Sequence, residues 1–534
     1  MNAARSAKMQ QLQQPFDVII VGGGITGAAI ALECARGGLK TLLLEQRDFA
    51  WGTSSRSSKL VHGGLRYLKE GQFHLTAESV KEREALKQEA RGLIDPQSFF
   101  LAHYPRRKPG RLTFKLGLTL YDAIAGKRAH RYINTSSAPF LAPHIDQRQL
   151  QGGMQYWDAK TDDARLVMRV LEEAEAAGAL AINYCCVENL LKAGDQVVGI
   201  EARDVETDQR TSIRASVVVN ATGAWVDQLR GQIGGEQKIR PLRGSHLLFP
   251  LWKVPVAQSV SFFHPYDDRP VFIYPWEGVA LLGTTDVDHP DELNQEAVIT
   301  PEETAYLLAA LHYQFPGLNI ALSDVISSYA GVRPVIGTGQ IDPSKESRDH
   351  LILNEKGLIT VTGGKLTTFR PIALDTVKII FQALGKPQTP RWSPVFKTAE
   401  ITSWPFALPE STRQRLSGRF GRVLESALRT ATRADFERIG GTDTLWLELR
   451  MAAEDKSVVH LDDLLLRRTR LGNVLKEGGK ELLPVIQRYV QPQLGWTSEQ
   501  WQAEAQRYVA LWQRNYSVPA RIPPLEPYLH PKAK

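Results

Sequence analysis

Residues 16–45, FDVIIVGGGITGAAIALECARGGLKTLLLE, decide the fold. Phe16–Val21 is a short run rich in β-branched residues, the pattern of a strand covered on both faces. Gly24–Arg36 predicts a helix with small residues on one face, and Lys40–Leu44 a second buried strand closed by Glu45. Strand, helix and strand in that order make a β-α-β unit. Gly22, Gly24 and Gly27 fit G-x-G-x-x-G at its first turn. Gly22 allows the tight turn. Gly24 lets the backbone, with the first helical residues Ile25 and Thr26, approach a pyrophosphate resting on unpaired N–H groups at the positive end of the helix dipole. Gly27 allows close packing of helix on strand. Glu45 lies eighteen positions after Gly27, where a carboxylate hydrogen-bonds an adenosine ribose. The unit predicts a Rossmann-like dinucleotide-binding domain and does not separate NAD from FAD.

Working outward, the chain has 534 residues, 43% hydrophobic and 23% charged. At about 150 residues per domain this is roughly three or four structural units, and it excludes collagen-like, wholly disordered and disulfide-stapled classes. The net charge of +7 allows anionic substrates, lipid headgroups or nucleic acid, and chooses none of them. Cys34, Cys185 and Cys186 form no CxxC or His/Cys cluster, so a reducing compartment is expected and no metal site. Arg5 and Lys8 precede an apolar run, as in a secretory leader, but Asp17 and the glycine triplet read better as the nucleotide turn. Residues 1–15 read as a polar, disordered tail.

Beyond Glu45, Thr53-Ser54-Ser55-Arg56-Ser57-Ser58-Lys59 runs into Val61-His62-Gly63-Gly64-Leu65-Arg66-Tyr67. Hydroxyls and backbone N–H groups there suit a pyrophosphate, and paired glycines let the chain pass a flat ring. Val187–Val219 alternates as a strand meander and ends in Asn220-Ala221-Thr222-Gly223. Pro241–Asp288 is strand-rich, Leu75–Ala90 and Pro301–Phe315 are helical, and Leu351–Thr362 is a strand pair before Gly363-Gly364 opens a long helix. Pro387, Pro390, Trp392 and Pro394 mark a linker, after which the chain is helical and charged. Trp225, Phe272, Tyr274 and Trp276 read as packing residues.

The stretches VGGGITGAAIA and SSKLVHGGLRYL resemble the FAD-dependent glycerol-3-phosphate dehydrogenases, within the D-amino-acid-oxidase-like flavoprotein superfamily. Four later segments resemble the same family: Val219–Trp225, Gly283-Thr284-Thr285-Asp286, Tyr329–Pro334 and Gly363–Arg370. Asp462-Asp463-Leu464-Leu465-Leu466-Arg467-Arg468-Thr469 looks like the family's helical cap. HGGLRYL and GGKLTT are specific, whereas the glycine fingerprint and NATG are widespread among flavoproteins. Val61 and Phe369 stand where the family often has Ile and Tyr, and residues 99–155 and those after 473 match poorly.

The resemblance implies an α/β and α+β architecture. Its parts are a Rossmann-like FAD-binding domain (16–98, 156–240, 325–386), a mixed-sheet substrate domain (99–155, 241–324) and a C-terminal helical domain (391–520). It implies FAD contacts at Gly22, Gly24, Ile25, Thr26, Gly27, Glu45, Thr53, Ser54, Ser55, Ser58, Lys59, His62, Gly63, Gly64, Ala221, Thr222, Gly223, Gly363, Gly364, Leu366 and Thr367. Oxidation of glycerol 3-phosphate removes a hydride from C2 to flavin N5 and a proton from the hydroxyl. Gly363-Gly364-Lys365 is placed to offer N–H groups to charge on the reduced flavin. A phosphate dianion suits arginine's planar fork, giving Arg333 first, Arg66 second and Lys365 as a point charge. His62 is the expected base, with Tyr67 as its hydrogen-bond partner. Two readings compete for His62, packing beside the ring or a covalent flavin bond, and Lys365 is the reserve base.

The expected acceptor is a membrane quinone, with dioxygen the alternative. Arg106, Arg107, Lys108, Arg111, Lys115, Lys127, Arg128 and Arg131 surround Leu112, Leu116, Leu120 and Ile124, which recur every fourth position. This segment reads either as a basic amphipathic helix on an anionic bilayer at the cytoplasmic face, or as a solvated face covering a core. No nucleic-acid module is read, and a homodimer is compatible with the sequence. Two other functions stay open: an amine or amino-acid oxidase of the same fold, and a flavin-binding regulatory or scaffold protein without turnover.

Overall fold

The computed structural model describes residues 3–65, 71–105, 110–337, 349–387, 391–397, 401 and 403–531. Strand Phe16–Val21 is central to the first sheet, parallel to Thr41–Leu44 on one side and Arg210–Asn220 on the other. Leu180–Ile182 and Leu358–Gly363 extend it in parallel, and His350–Glu355 closes one edge antiparallel. The alternation of the first strand sorts its side chains. Val18 and Ile20 face helices Ile25–Arg36, Asp163–Ala176 and Phe369–Ala383. Ile19 and Val21 face the meander Cys185–Ala193, Gln196–Asp204 and Arg210–Asn220. Both faces are thereby covered, and each fully buried aliphatic side chain contributes about 1.5–3 kcal/mol.

The second sheet is mixed and mostly antiparallel, in the order Val287–Asp288, Ile239–Pro250, Val279–Gly283, Pro270–Trp276, Ser259–Phe263, Ile94–Ala102, Gly153–Thr161, Leu60–Val61. Strand Ser327–Ile336 pairs with Ile239–Pro250 over ten residues, from Ser327↔Leu248 to Ile336↔Ile239. The expected domain borders therefore shift. Residues 94–98, 156–161 and 327–336, expected in the cofactor domain, pair their backbones in the second sheet. The third part is helical, including Glu410–Phe420, Trp446–Glu454, Leu483–Leu494 and Ser498–Asn515. Its Leu464–Leu466, Tyr508 and Trp512 share a core with Tyr274, Trp276 and Leu281 of the second sheet.

Residues 3–13 are not a disordered tail. Ala3–Gln10 is a helix, followed by a short turn that buries Leu12. Arg5 donates to the carbonyls of Asn183 at 2.7 Å and Tyr184 at 3.1 Å, and pairs with buried Asp204 at 3.0 Å. Polar composition hid these two anchors, because one arginine and one leucine suffice to dock so short a segment. Helix Arg111–Ile124 also differs from one of its two expected readings. Leu112, Leu116 and Leu120 are 81%, 73% and 41% exposed and cover no core, while Leu118 and Tyr121 point inward. Arg106, Arg107 and Lys108 lie outside the described residues. Among the described residues no helix is long and apolar enough to cross a membrane.

Arg5→Met leaves Asp204 buried and unpaired. We expect a loss of about 3 kcal/mol in chemical denaturation; an unchanged midpoint would show that the N-terminal helix contributes nothing to the fold.

Candidate active site

A cavity opens at the carboxyl ends of the central parallel strands, where ligands bind in sheets of this kind. Gly22, Gly24, Ile25 and Thr26 form its floor, with Glu45 beside them. Gly22 has φ +115°, and a Cβ there would stand 2.5 Å from the Ala221 carbonyl oxygen of the neighbouring strand. A Cβ at Gly27 would overlap the Gly22 carbonyl oxygen, so helix and turn touch as the spacing predicts. Gly24 itself offers no capping side chain, and the Ile25 N–H at the helix start donates to Ser54 Oγ at 3.0 Å on the cavity wall. Glu45 accepts from the N–H of Gly23 at 2.7 Å and of Arg47 at 2.9 Å. Burial raises its pKa against the lowering by those two bonds. The carboxylate thus braces the glycine turn from the side where a ribose would lie.

The remaining walls come from three later segments. Thr53 and Ser54 stand opposite the glycine turn, Thr222 and Gly223 follow with Ala221, and Gly363, Gly364, Lys365 and Leu366 form the far end. Gly363 and Gly364 have φ +79° and +73°. They lead into the short turn Leu366–Thr368 and then helix Phe369–Ala383, so the long helix begins later than the sequence suggests. Thr367 Oγ1 donates to the His62 carbonyl at 3.1 Å, which joins the HGG loop to this turn. Gly63 is held elsewhere. Its N–H lies 3.0 Å from Tyr121 Oη and 3.1 Å from Asp158 Oδ1, and a Cβ would press on Val80. The glycine is required by packing against helix Arg111–Ile124. Lys365 Nζ donates to Ser79 Oγ at 3.2 Å.

Strand Ser327–Ile336 joins the cavity to a cationic cluster. Thr53 Oγ1 donates to the Val332 carbonyl, and Pro334 lines the cavity. Between them Arg333 donates to Asp286 Oδ1 at 2.7 Å and Thr284 Oγ1 at 3.0 Å. Asp286 is shared with Arg269 at 2.9 Å.

Several expected cofactor contacts are placed otherwise. Lys59 is fully buried and donates to the Ser55 carbonyl at 2.8 Å and Asp163 at 2.9 Å. Ser55 is buried beneath the loop. Ser58 Oγ meets His246 Nε2 at 2.9 Å. Arg66 and Tyr67 lie outside the described residues. Other lining residues stand outside the expected set. Ser57 and Trp225 are among them, and the Trp225 indole N–H is buried without a partner among the described residues. His246 is buried, stacked on Tyr329 at 4.6 Å, with Nδ1 unpartnered among the described residues. Burial, and then the nearby Arg333 and Lys59, hold its pKa well below the ordinary histidine value. A histidine that leads into the apolar run Leu247–Phe249 is the signal the sequence offers for it. Tyr274 and Trp276 are packing residues as read, and among the described residues no group of three metal-binding side chains exists.

Residues 17–370 match the family described as FAD dependent oxidoreductase, and residues 391–501 match the C-terminal domain of alpha-glycerophosphate oxidase. The aerobic glycerol-3-phosphate dehydrogenase of Staphylococcus saprophyticus is 34% identical over 484 residues, covering 85% of this chain and 87% of its own. That of Staphylococcus aureus is 34% identical over 483 residues, covering 85% and 86%. The glycerol-3-phosphate dehydrogenase of Bacillus halodurans, solved with FAD, superposes with TM-score 0.75 at 27% identity, over 99% of this chain and 98% of that one. The FAD-bound L-alpha-glycerophosphate oxidase of Mycoplasma pneumoniae gives TM-score 0.56 at 16% identity over 72% and 98%, a likeness of fold. The glycine cradle, the helix N-terminus at its floor and the carboxylate beside it fit the adenine-dinucleotide half of FAD.

Gly27→Ala should yield protein that retains no yellow cofactor on purification, because the added methyl and the Gly22 carbonyl cannot both fit. A yellow variant with the wild-type flavin content would contradict the packing described.

Proposed function

The chain belongs to the FAD dependent oxidoreductases and, within them, to the aerobic glycerol-3-phosphate dehydrogenase family; from this premise we propose that it oxidises sn-glycerol 3-phosphate at C2 to dihydroxyacetone phosphate. The observation that supports this most is strand Ser327–Ile336, which brings Pro334 to the cofactor cavity and Arg333 to the adjoining cationic cluster. FAD, when bound, supplies the acceptor for the C2 hydrogen and its electron pair. Arg333 grips the phosphate, and Lys365 at the far wall adds a second positive charge. With the phosphate fixed, C2 is held against the wall formed by Gly363–Leu366, and orientation replaces a bimolecular encounter.

The hydroxyl proton goes to a neutral histidine as the carbonyl forms. We assign it to His62, half-buried beside the far wall with its carbonyl fixed by Thr367. His246 is the second reading, favoured by its unpartnered Nδ1 next to Arg333. A base held so far below the ordinary histidine range would leave the reduction rate flat through neutral pH.

The electron pair then passes to a quinone in the membrane, at which helix Arg111–Ile124 docks from the cytoplasmic side. Exposed Leu112 and Leu116 enter the lipid boundary, and Arg111 and Lys115 meet anionic headgroups. Dioxygen is the alternative acceptor, favoured by the match of residues 391–501 to the C-terminal domain of alpha-glycerophosphate oxidase.

Anaerobic addition of sn-glycerol 3-phosphate to the FAD-loaded protein should bleach the flavin, and bound FAD that stays oxidised would refute the assignment. Arg333→Ala should weaken substrate binding about 10- to 100-fold, the worth of a charge-assisted hydrogen bond. His62→Ala should slow bleaching by about 10² or more with binding little changed. An unchanged rate would transfer the role to His246, to be checked by His246→Ala.

Leu112→Asp with Leu116→Asp should abolish cosedimentation with phosphatidylglycerol vesicles while leaving anaerobic bleaching intact. Full vesicle binding by this variant would exclude the helix as the docking face.

A further inference from the structure

We propose that the C-terminal helical unit is part of the FAD site, because Arg467, Arg468 and Arg470 fasten the two loops that hold the cofactor. The three arginines are buried where the two units meet; Arg467 also pairs with Asp462 at 2.7 Å and Arg468 with Asp455 at 2.8 Å in their own unit. Arg467 and Arg468 both pair with Asp48, which is fully buried in the loop after Glu45. That loop folds back on the glycine turn, with the Ala50 N–H donating to the Gly23 carbonyl at 3.0 Å.

Arg470 holds the serine loop. It adopts a left-handed conformation, φ 62°, which turns its side chain under residues 55–59. Its Nη1 donates to the Ser55 carbonyl at 3.2 Å, its Nε to Asp162 at 2.9 Å, and its Nη2 to Asp163. Asp163 in turn accepts from the N–H of Ser57 at 3.0 Å and from Ser57 Oγ at 2.7 Å. Ser54 and Ser57 face the cavity, and Ser54 takes the N–H of Ile25 at the cofactor helix. The path from Arg470 to the helix N-terminus is therefore continuous through side chains and one short loop. Its Nη1 also donates to the Leu466 carbonyl at 2.9 Å, so the fork serves four acceptors, one more than the three donors of an ammonium. Arg470 is a positioning residue: it touches no cofactor atom and sets the loop that does.

The inference rests on the cavity being the FAD site and not on the identity of the donor, so a failure of glycerol 3-phosphate to bleach the flavin leaves it standing. The test is the rate of FAD release from full-length holoprotein, followed by recovery of flavin fluorescence on dilution well below the melting temperature. Arg470→Met should release FAD about tenfold or more faster, since the loop loses its tie to the C-terminal unit while, among the described residues, Asp163 keeps only the cation Lys59 and Asp162 only Arg419, and Arg470→Lys about threefold faster. Arg450→Met removes a half-buried arginine that caps carbonyls inside the C-terminal unit and reaches neither loop. It should lower the melting temperature and leave FAD release within about twofold of wild type, as expected for distant, uncoupled sites. Wild-type release from folded Arg470→Met would overturn the proposal; if that variant does not fold, wild-type release from Arg470→Lys does so. Equal acceleration in Arg450→Met would overturn it too, because the effect would then be general loosening.

Discussion

The contact between the α-carbon of Gly27 and the carbonyl of Gly22 is the constraint on which the cofactor half of the molecule depends. Any side chain at position 27 would push helix Ile25–Arg36 off the strand before it. The Ile25 N–H would then no longer meet Ser54, and the turn that Glu45 braces through the Gly23 N–H would be displaced. An anion site made of backbone dipoles needs no charged side chain and suffers no competition from one. That is why the cavity floor is glycine and isoleucine, and why the serine loop rather than a lysine closes over it.

The substrate half follows a different logic. A small phosphorylated alcohol offers little apolar surface, so charge must both hold and orient it. In the proposed reading Arg333 supplies that charge from strand Ser327–Ile336, which Thr53 and Pro334 fix to the cavity. Asp286, shared with Arg269, holds the two guanidiniums in place. His246, kept neutral by the same surroundings, marks the join between the halves through Ser58. The ionic seam from Asp48 to Arg470 ties both halves to the helical unit.

The parts legible in the sequence were those with local causes. The β-α-β unit, the glycine spacing, the strand pair before Gly363 and the helix Pro301–Gln314 follow from period and turn chemistry within a few residues. What escaped was set by partners far along the chain. Lys59 reads as a pyrophosphate ligand until Asp163 is seen beneath it, and Ser327–Ile336 reads as cofactor domain until it pairs with Ile239–Pro250. Arg5, in a polar stretch, is anchored by groups almost two hundred positions away. Tyr121 explains Gly63, which sequence had assigned to a flat ring. Pairwise burial of charge leaves no periodic trace, so such contacts need the fold.

The most direct measurement is a structure of the protein with FAD and sn-glycerol 3-phosphate, trapped with the flavin already reduced. The account predicts the phosphate within hydrogen-bond reach of Arg333 and C2 facing the ring beside Gly363–Leu366. A phosphate bound away from both Arg333 and Lys365, with Arg333 still closed on Asp286, would contradict it.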